Sequence, residues 1–121
     1  HVLLADDGGA LVPGAFGLML ELARRHSAEV TVVHVEDPNT LSTSVGPDPI
    51  YHAMLGDLPH TFLTVEDEQV AVAIDHEAVA NKVDLVTVLH RHLGPLESLF
   101  HKSTAEQLAL HAHVPLLVLQ Q

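Results

Sequence analysis

Two stretches of this chain hold most of the residues that could do chemistry. The first is Asp6-Asp7-Gly8-Gly9, which ends a short apolar run, Val2-Leu3-Leu4-Ala5. The second runs from His90 to Thr104. Here His90, Arg91, His92, His101 and Lys102 stand against one acid, Glu97, and Ser103-Thr104 open what reads as a helix. Basic side chains gathered at a helix start suit a small anionic ligand, because the free backbone N–H groups and the helix dipole already favour negative charge there. The same residues could instead balance Asp6, Asp7 and nearby acids in a surface network, since structural ion-pair networks are common. The histidines raise a metal reading. His90 and His92 are two apart, as are His111 and His113, and on a strand that spacing puts both imidazoles on one face. With a third imidazole or a carboxylate they could hold zinc. His111 and His113, however, straddle an expected helix end, where histidine commonly meets free carbonyls, and no metal site is expected. Asp6-Asp7 does not read as a catalytic carboxylate pair, because neighbours on an extended strand end point to opposite faces; one of the two is expected to be structural. No nucleophile elbow and no Ser-His-Asp order is present, and no enzymatic activity is expected.

The elements that must position these residues follow from periodicity and punctuation. Val2–Ala5 reads as a buried strand running into a turn. Pro13 to His26 reads as a helix, with Phe16, Met19, Leu20, Leu22 and Ala23 at helical spacing, Pro13 in its first turn and a Glu21–Arg25 pair four apart. Val30–Val35 is rich in β-branched residues and reads as the second strand; His34 is expected to be a satisfied core or strand-end histidine. Residues 36–49 read as loop. A short helix after Asp48-Pro49 should turn Ile50, Met54 and Leu55 inward. Thr61–Val65 is the third strand. Val70–Ala80 is a helix with Val70, Ala73, Ile74 and Val79 as its apolar face and Asp75, His76 and Glu77 on its solvated side. Asp84–Leu89 is the fourth strand, where Thr87 is expected to serve packing. Ser103–Ala112 is the last helix, and Val114–Leu119 the fifth strand. Near-continuous apolar strands alternating with helices predict an α/β fold, an open doubly wound parallel sheet with helices on both faces. Ligands of such sheets sit beyond the carboxyl ends of the strands, where the strand order reverses. Asp6 to Gly9, Leu89 to His92 and Ser103-Thr104 all fall there.

Composition narrows the partners. The chain has 121 residues, read here as one domain over 1–121, and 16 acidic against 5 basic residues give a net charge of −11 with histidines neutral. Phosphate backbones would be repelled, so no nucleic-acid partner is expected. There is no cysteine, which rules out disulfides and thiolate metal sites. No stretch approaches the roughly 18–20 apolar residues that a membrane helix needs, and no membrane partner is expected. Hydrophobic residues make up 47% and aromatics are only Phe16, Tyr51, Phe62 and Phe100, so the core must be aliphatic. The chain starts at His1 within an apolar run, which suggests an excised domain or the second half of a tandem protein.

At this point the wording becomes specific. Val2-Leu3-Leu4-Ala5-Asp6-Asp7-Gly8-Gly9 resembles the opening of universal stress proteins. Leu20 to Pro38, LELARRHSAEVTVVHVEDP, is similar to the family's first helix and second strand. Val83 to Leu119 resembles its C-terminal block: Asp-Leu before a strand, a loop, a Ser-Thr-Ala-Glu helix start, then Val-Pro-Leu-Leu-Val-Leu. Only residues 39–60 stand outside the likeness. The wording of 90–92, 97–103 and 111–115 resembles Bacteroidetes-type members, often the second domain of a tandem pair. The resemblance implies a five-stranded sheet of order 3-2-1-4-5, a cytoplasmic stress-response role, and a homodimer or tandem pseudo-dimer formed through the last strand, which is apolar and at a sheet edge.

The resemblance also defines a nucleotide site. ATP-binding members carry G-x-x-G, nine residues, then G-S or G-T, the glycines letting backbone N–H groups approach the phosphates. Laid on this chain, the three glycine positions fall at Leu89, His92 and Lys102, and all three are replaced. Asp7 and Val35 match on the base and ribose side, and Ser103 and Thr104 on the phosphate side. The resulting expectation is a binding and regulatory module with a degenerate ATP-binding loop and no cofactor. The alternative is a module that binds ATP or AMP with side chains in place of the glycine loop. A third reading, a response-regulator-like receiver domain, shares the length and the early acidic pair. It needs a Lys after the fifth strand, where this chain has Gln120-Gln121, and its only lysines are Lys82 and Lys102.

Overall fold

A computed structural model describes residues 1–6, 11–36, 48–67, 69–90 and 113–120. Five strands, β1 (Val2–Asp6), β2 (Val30–Glu36), β3 (His60–Glu66), β4 (Leu85–His90) and β5 (Leu116–Gln120), form one parallel sheet of order β3-β2-β1-β4-β5. Three helices are described: α1 (Gly17–Arg25), α2 (Ile50–Leu55) and α3 (Val70–Ala80). The expected α/β fold and its strand order are therefore present. That order sets β1 between β2 and β4, whereas the flavodoxin-like order of a receiver, 2-1-3-4-5, sets β1 between β2 and β3. The receiver reading is thereby corrected: the chain order reverses between β1 and β4.

The alternation of side chains along each strand divides the interior in two. Val2 and Leu4 of β1, Val30 and Val32 of β2, Leu89 of β4 and Leu119 of β5 pack with Phe16, Met19, Leu20 and Ala23 beneath α1 and with Tyr51, Met54 and Leu55 beneath α2. Leu3, Val33, Val86 and Val88 point the other way and pack with Ala71, Ile74 and Ala78 of α3. The period of two makes this split unavoidable once both faces are covered. The edge strand β3 alternates between half-buried and exposed residues, while β1 is buried at Val2, Leu3 and Leu4 in succession.

Several local expectations shift. The first turn of the expected Pro13–His26 helix is a 3-10 turn, Pro13–Phe16, before α1 proper begins. Leu22 is half-buried rather than in the core. In α2 the fully buried residue is Tyr51, alongside Met54 and Leu55, while Ile50 is half-buried. In α3 the buried side is Ala71, Ala73, Ile74 and Ala78; Val79 is exposed, although it was expected on the apolar face. That helix is apolar nearly all round, so spacing alone does not single out its inner face. β5 begins at Leu116, after Pro115, whose carbonyl accepts the N–H of Val86 at 2.9 Å. The last expected helix, 103–112, lies outside the described residues.

Asp75 is not merely on the solvated side of α3. It accepts two hydrogen bonds from His113, from the main-chain N–H at 3.0 Å and from Nδ1 at 2.7 Å, and so ties α3 to the approach to β5. Burial pushes the Asp75 carboxyl up, but the main-chain N–H, the ring N–H and the charge of His113 outweigh it and hold the group below its usual range. A depressed carboxylate stabilises the fold above its unfolded-state value, about 3.9, and that contribution fades as the pH falls through the lower folded value. Asp75→Asn should therefore weaken the protein near neutrality, with the deficit shrinking below about pH 4. Urea midpoints from pH 2.5 to 7 check this, and a deficit that stays constant down to the lowest pH contradicts it.

Candidate functional site at the carboxyl edge of the sheet

The reversal between β1 and β4 opens a shelf beyond the carboxyl ends of the strands, where ligands of doubly wound sheets bind. On the described part of this shelf the chain places Asp6 at the end of β1, His34, Val35 and Glu36 at the end of β2, Glu66 at the end of β3 with Asp67 just after it, and Leu89 and His90 at the end of β4. The register sets Asp6 beside His34, His34 beside Thr64, and Glu36 beside Glu66.

Asp6 is the hub of this edge. Its Oδ1 accepts a hydrogen bond from the Tyr51 hydroxyl at 2.8 Å. Nδ1 of His34 lies 3.2 Å from the Asp6 carbonyl and 3.4 Å from Asp6 Oδ2. Both neighbours of that nitrogen accept only, so Nδ1 carries the proton and donates. Nε2 then faces outward, with Glu36 Oε1 3.9 Å away. Tyr51 is wholly buried, and a buried phenol needs a partner for its O–H. α2 supplies the position: Asp48 Oδ1 accepts the Ile50 N–H at 3.0 Å, which starts the helix, and Gly56, at φ +54°, ends it. Asp6 thus has a structural role, through its bonds to Tyr51 and His34; Asp7 lies outside the described residues.

Among the described residues this edge is acidic. Asp6, Glu36, Glu66 and Asp67 accept hydrogen bonds from hydroxyls and amines readily and repel phosphate oxygens. Its chemistry suits the sugar and base end of a ligand better than the phosphate end. The expected site residues fall as follows. Val35 is half-buried on the α3 face of the sheet, and Leu89 is buried on the α1–α2 face. Their side chains lie on opposite sides, so a ligand reaching both must cross the crest of the sheet over backbone. Asp7, His92, Lys102, Ser103 and Thr104, with Arg91 and His101 of the basic cluster, lie outside the described residues, as does His111. Among the described residues no three His, Cys, Asp or Glu side chains converge as a metal site, and no helix is long and apolar enough to cross a membrane.

Sequence reasoning missed Tyr51 and Glu36. The available signal for Tyr51 was that it is the chain's single tyrosine, set beside a helix start on a chain short of aromatics. Its pairing with a residue 45 positions away leaves no local trace.

Comparison with known proteins agrees with this architecture. The model of the universal stress protein family matches residues 52–120, more than half of the chain. A protein of that family from Burkholderia pseudomallei is 25% identical, with a TM-score of 0.59 over 97% of this chain and 93% of its own. A universal stress protein from Archaeoglobus fulgidus is 16% identical, with a TM-score of 0.71 over 98% of this chain and 91% of its own. A universal stress protein solved in complex with cAMP is 18% identical, with a TM-score of 0.68 over 98% of this chain and 94% of its own. No curated protein matches the chain.

Proposed function

The chain belongs to the universal stress protein family, and from that premise we propose that it is a non-enzymatic stress-response binding and regulatory module with a degenerate ATP-binding loop. The observation that carries this reading is the course of β4 through the first glycine position of the family loop. Leu89 stands there, pairs with Leu119, and commits its side chain to the core under α1 and α2. The ladder continues one residue further, His90 beside Gln120. A glycine at this point would free the backbone to turn toward a phosphate; a core leucine favours a strand that runs straight on. His92 and Lys102 put side chains at the other two glycine positions. The acidic rim of Asp6, Glu36 and Glu66 adds a field that opposes a triphosphate.

A second reading is supported by a specific observation. The basic cluster His90, Arg91, His92, His101 and Lys102 offers side chains to an anion, and one solved relative is in complex with cAMP. In this reading Asp7 and Val35 meet the base and ribose of ATP or AMP, and Lys102, Ser103 and Thr104 meet phosphate.

In either case the module works in the cytoplasm as a homodimer or a tandem pseudo-dimer, the single domain of residues 1–121 pairing through β5. That strand is a sheet edge, and Val118 on it is 43% exposed; an apolar edge strand left open is a template for pairing with another chain. Native mass spectrometry of the untagged protein tests ligand and assembly together. The expected spectrum is a dimer with no nucleotide, and the thermal midpoint stays unmoved when ATP, AMP or cAMP is added at low salt. Co-purified nucleotide, or a midpoint that climbs with ATP concentration, favours the second reading; a monomer at micromolar concentration overturns the pairing through β5.

A further inference from the structure

At the opposite, amino-terminal end of the sheet, away from the shelf, two imidazoles face one another. We propose that His52 and His60 form an open binding site for a divalent transition-metal ion of zinc-like chemistry. His52 sits in α2 and His60 heads β3, paired with Val30. His52 Nδ1 and His60 Nε2 are 3.4 Å apart. Two nitrogens each bound at about 2.0–2.1 Å to a tetrahedral zinc stand about 3.3–3.4 Å from one another, so the pair is already spaced as two ligands of one ion.

The orientation of the rings supports the same conclusion. His60 Nδ1 lies 2.7 Å from the Leu58 carbonyl oxygen. A carbonyl only accepts, so Nδ1 holds the proton and the neutral ring turns the Nε2 lone pair toward His52. Backing a ligating imidazole with a main-chain carbonyl is how proteins fix the tautomer and angle of metal-binding histidines. Phe62 packs against both rings, with centroids 5.2 Å from His52 and 5.7 Å from His60, and is itself set by Tyr51 at 5.9 Å. The two imidazoles are thus held by the core rather than left to find one another. His52 is exposed and His60 half-buried, so an ion can reach them. Since no third side chain of ligand type joins them among the described residues, water or an exogenous ligand completes the coordination. Uptake of the ion replaces the ring-to-ring contact with two metal–nitrogen bonds; the proton on His52 Nδ1 moves by way of solvent to Nε2 of that exposed ring, so both rings bind as neutral imidazoles.

The test uses the full, untagged chain and zinc alone. Zinc is titrated in competition with a chromophoric chelator, and the imidazole signals are followed by two-dimensional nitrogen–proton NMR. One saturable equivalent is expected, with the His52 and His60 resonances moving together. His52→Ala, at an exposed helical position, should weaken that equivalent by about 10-fold or more. His60→Ala should do the same where circular dichroism shows it folded. His76→Ala, on the exposed side of α3, should leave it unchanged. Undiminished uptake by His52→Ala, or zinc shifts confined to other histidines, overturns the proposal.

Discussion

Tyr51→Ala should destabilise the protein by about 3–5 kcal/mol, the range for emptying a buried aromatic site, and Tyr51→Phe by roughly 1.5–3 kcal/mol, the range for losing a hydrogen bond to a charged group. The two numbers separate two jobs of one side chain. Its ring is wholly buried on the inner side of α2, in the core cluster that also holds Phe16, Met54 and Leu55, and meets Phe62 of β3. Its hydroxyl reaches Asp6 at 2.8 Å, at the point where the sheet reverses. Against a typical domain stability of about 5–15 kcal/mol, the alanine variant loses a large share, while the phenylalanine variant should still fold. In Tyr51→Phe the Asp6 carboxylate, 11% exposed, loses the hydrogen bond from the hydroxyl. The end of β1 should loosen and the shelf with it. Urea unfolding followed by circular dichroism gives both differences. A Tyr51→Phe midpoint equal to that of the parent protein shows that the hydroxyl does not anchor Asp6.

The same residue marks where the sequence stops being legible. Strands that are buried on both faces announce themselves as apolar runs, and β1, β2 and β4 were placed to within a residue at each end. The alternation of strand and helix then predicts layers, and right-handed crossovers put α1 and α2 on one face and α3 on the other. A helix of six residues is under two turns, so spacing could not tell whether Ile50 or Tyr51 points inward. An apolar helix such as α3 hides its inner face for the opposite reason, because too many positions qualify. The contacts that organise the edges join residues far apart in the chain: Tyr51 with Asp6, Asp75 with His113, 38 residues on. Nothing in local composition marks such pairs.

The candidate site divides along the same line. That Leu89, His92 and Lys102 each carry a Cβ, at the positions where the resemblance to ATP-binding relatives would set glycines, is visible in the residue types alone. That Leu89 is a core residue in a regular ladder needed the fold. So did the gathering of acids on the described part of the shelf, where the ends of β1, β2 and β3 lie side by side and bring Asp6, Glu36 and Glu66 to one rim. The sheet is held by apolar faces and its carboxyl edge by a few polar side chains, so the two can vary independently.

Thr87→Val should act in the other direction and stabilise the protein by about 1–2 kcal/mol. Thr87 is 0% exposed, in the centre of β4 beside Leu4, and its Oγ1 is buried with no hydrogen-bond partner among the described residues. Alternation along β4 turns it to the face of Leu85 and Leu89, under α1. An unmade hydrogen bond in such a place costs roughly 1–3 kcal/mol, and valine replaces the hydroxyl by a methyl of similar shape with better strand propensity. The gain is reduced by whatever adjustment the extra methyl forces on its neighbours. Thr87→Ser keeps the hydroxyl and deletes the methyl, so it should destabilise. If the hydroxyl is an idle polar atom, the order of urea midpoints is Val, Thr, Ser. If valine instead falls below threonine, the hydroxyl has a use that outweighs its burial. The natural place to look for that use is the shelf beyond Leu89, two residues further along the strand.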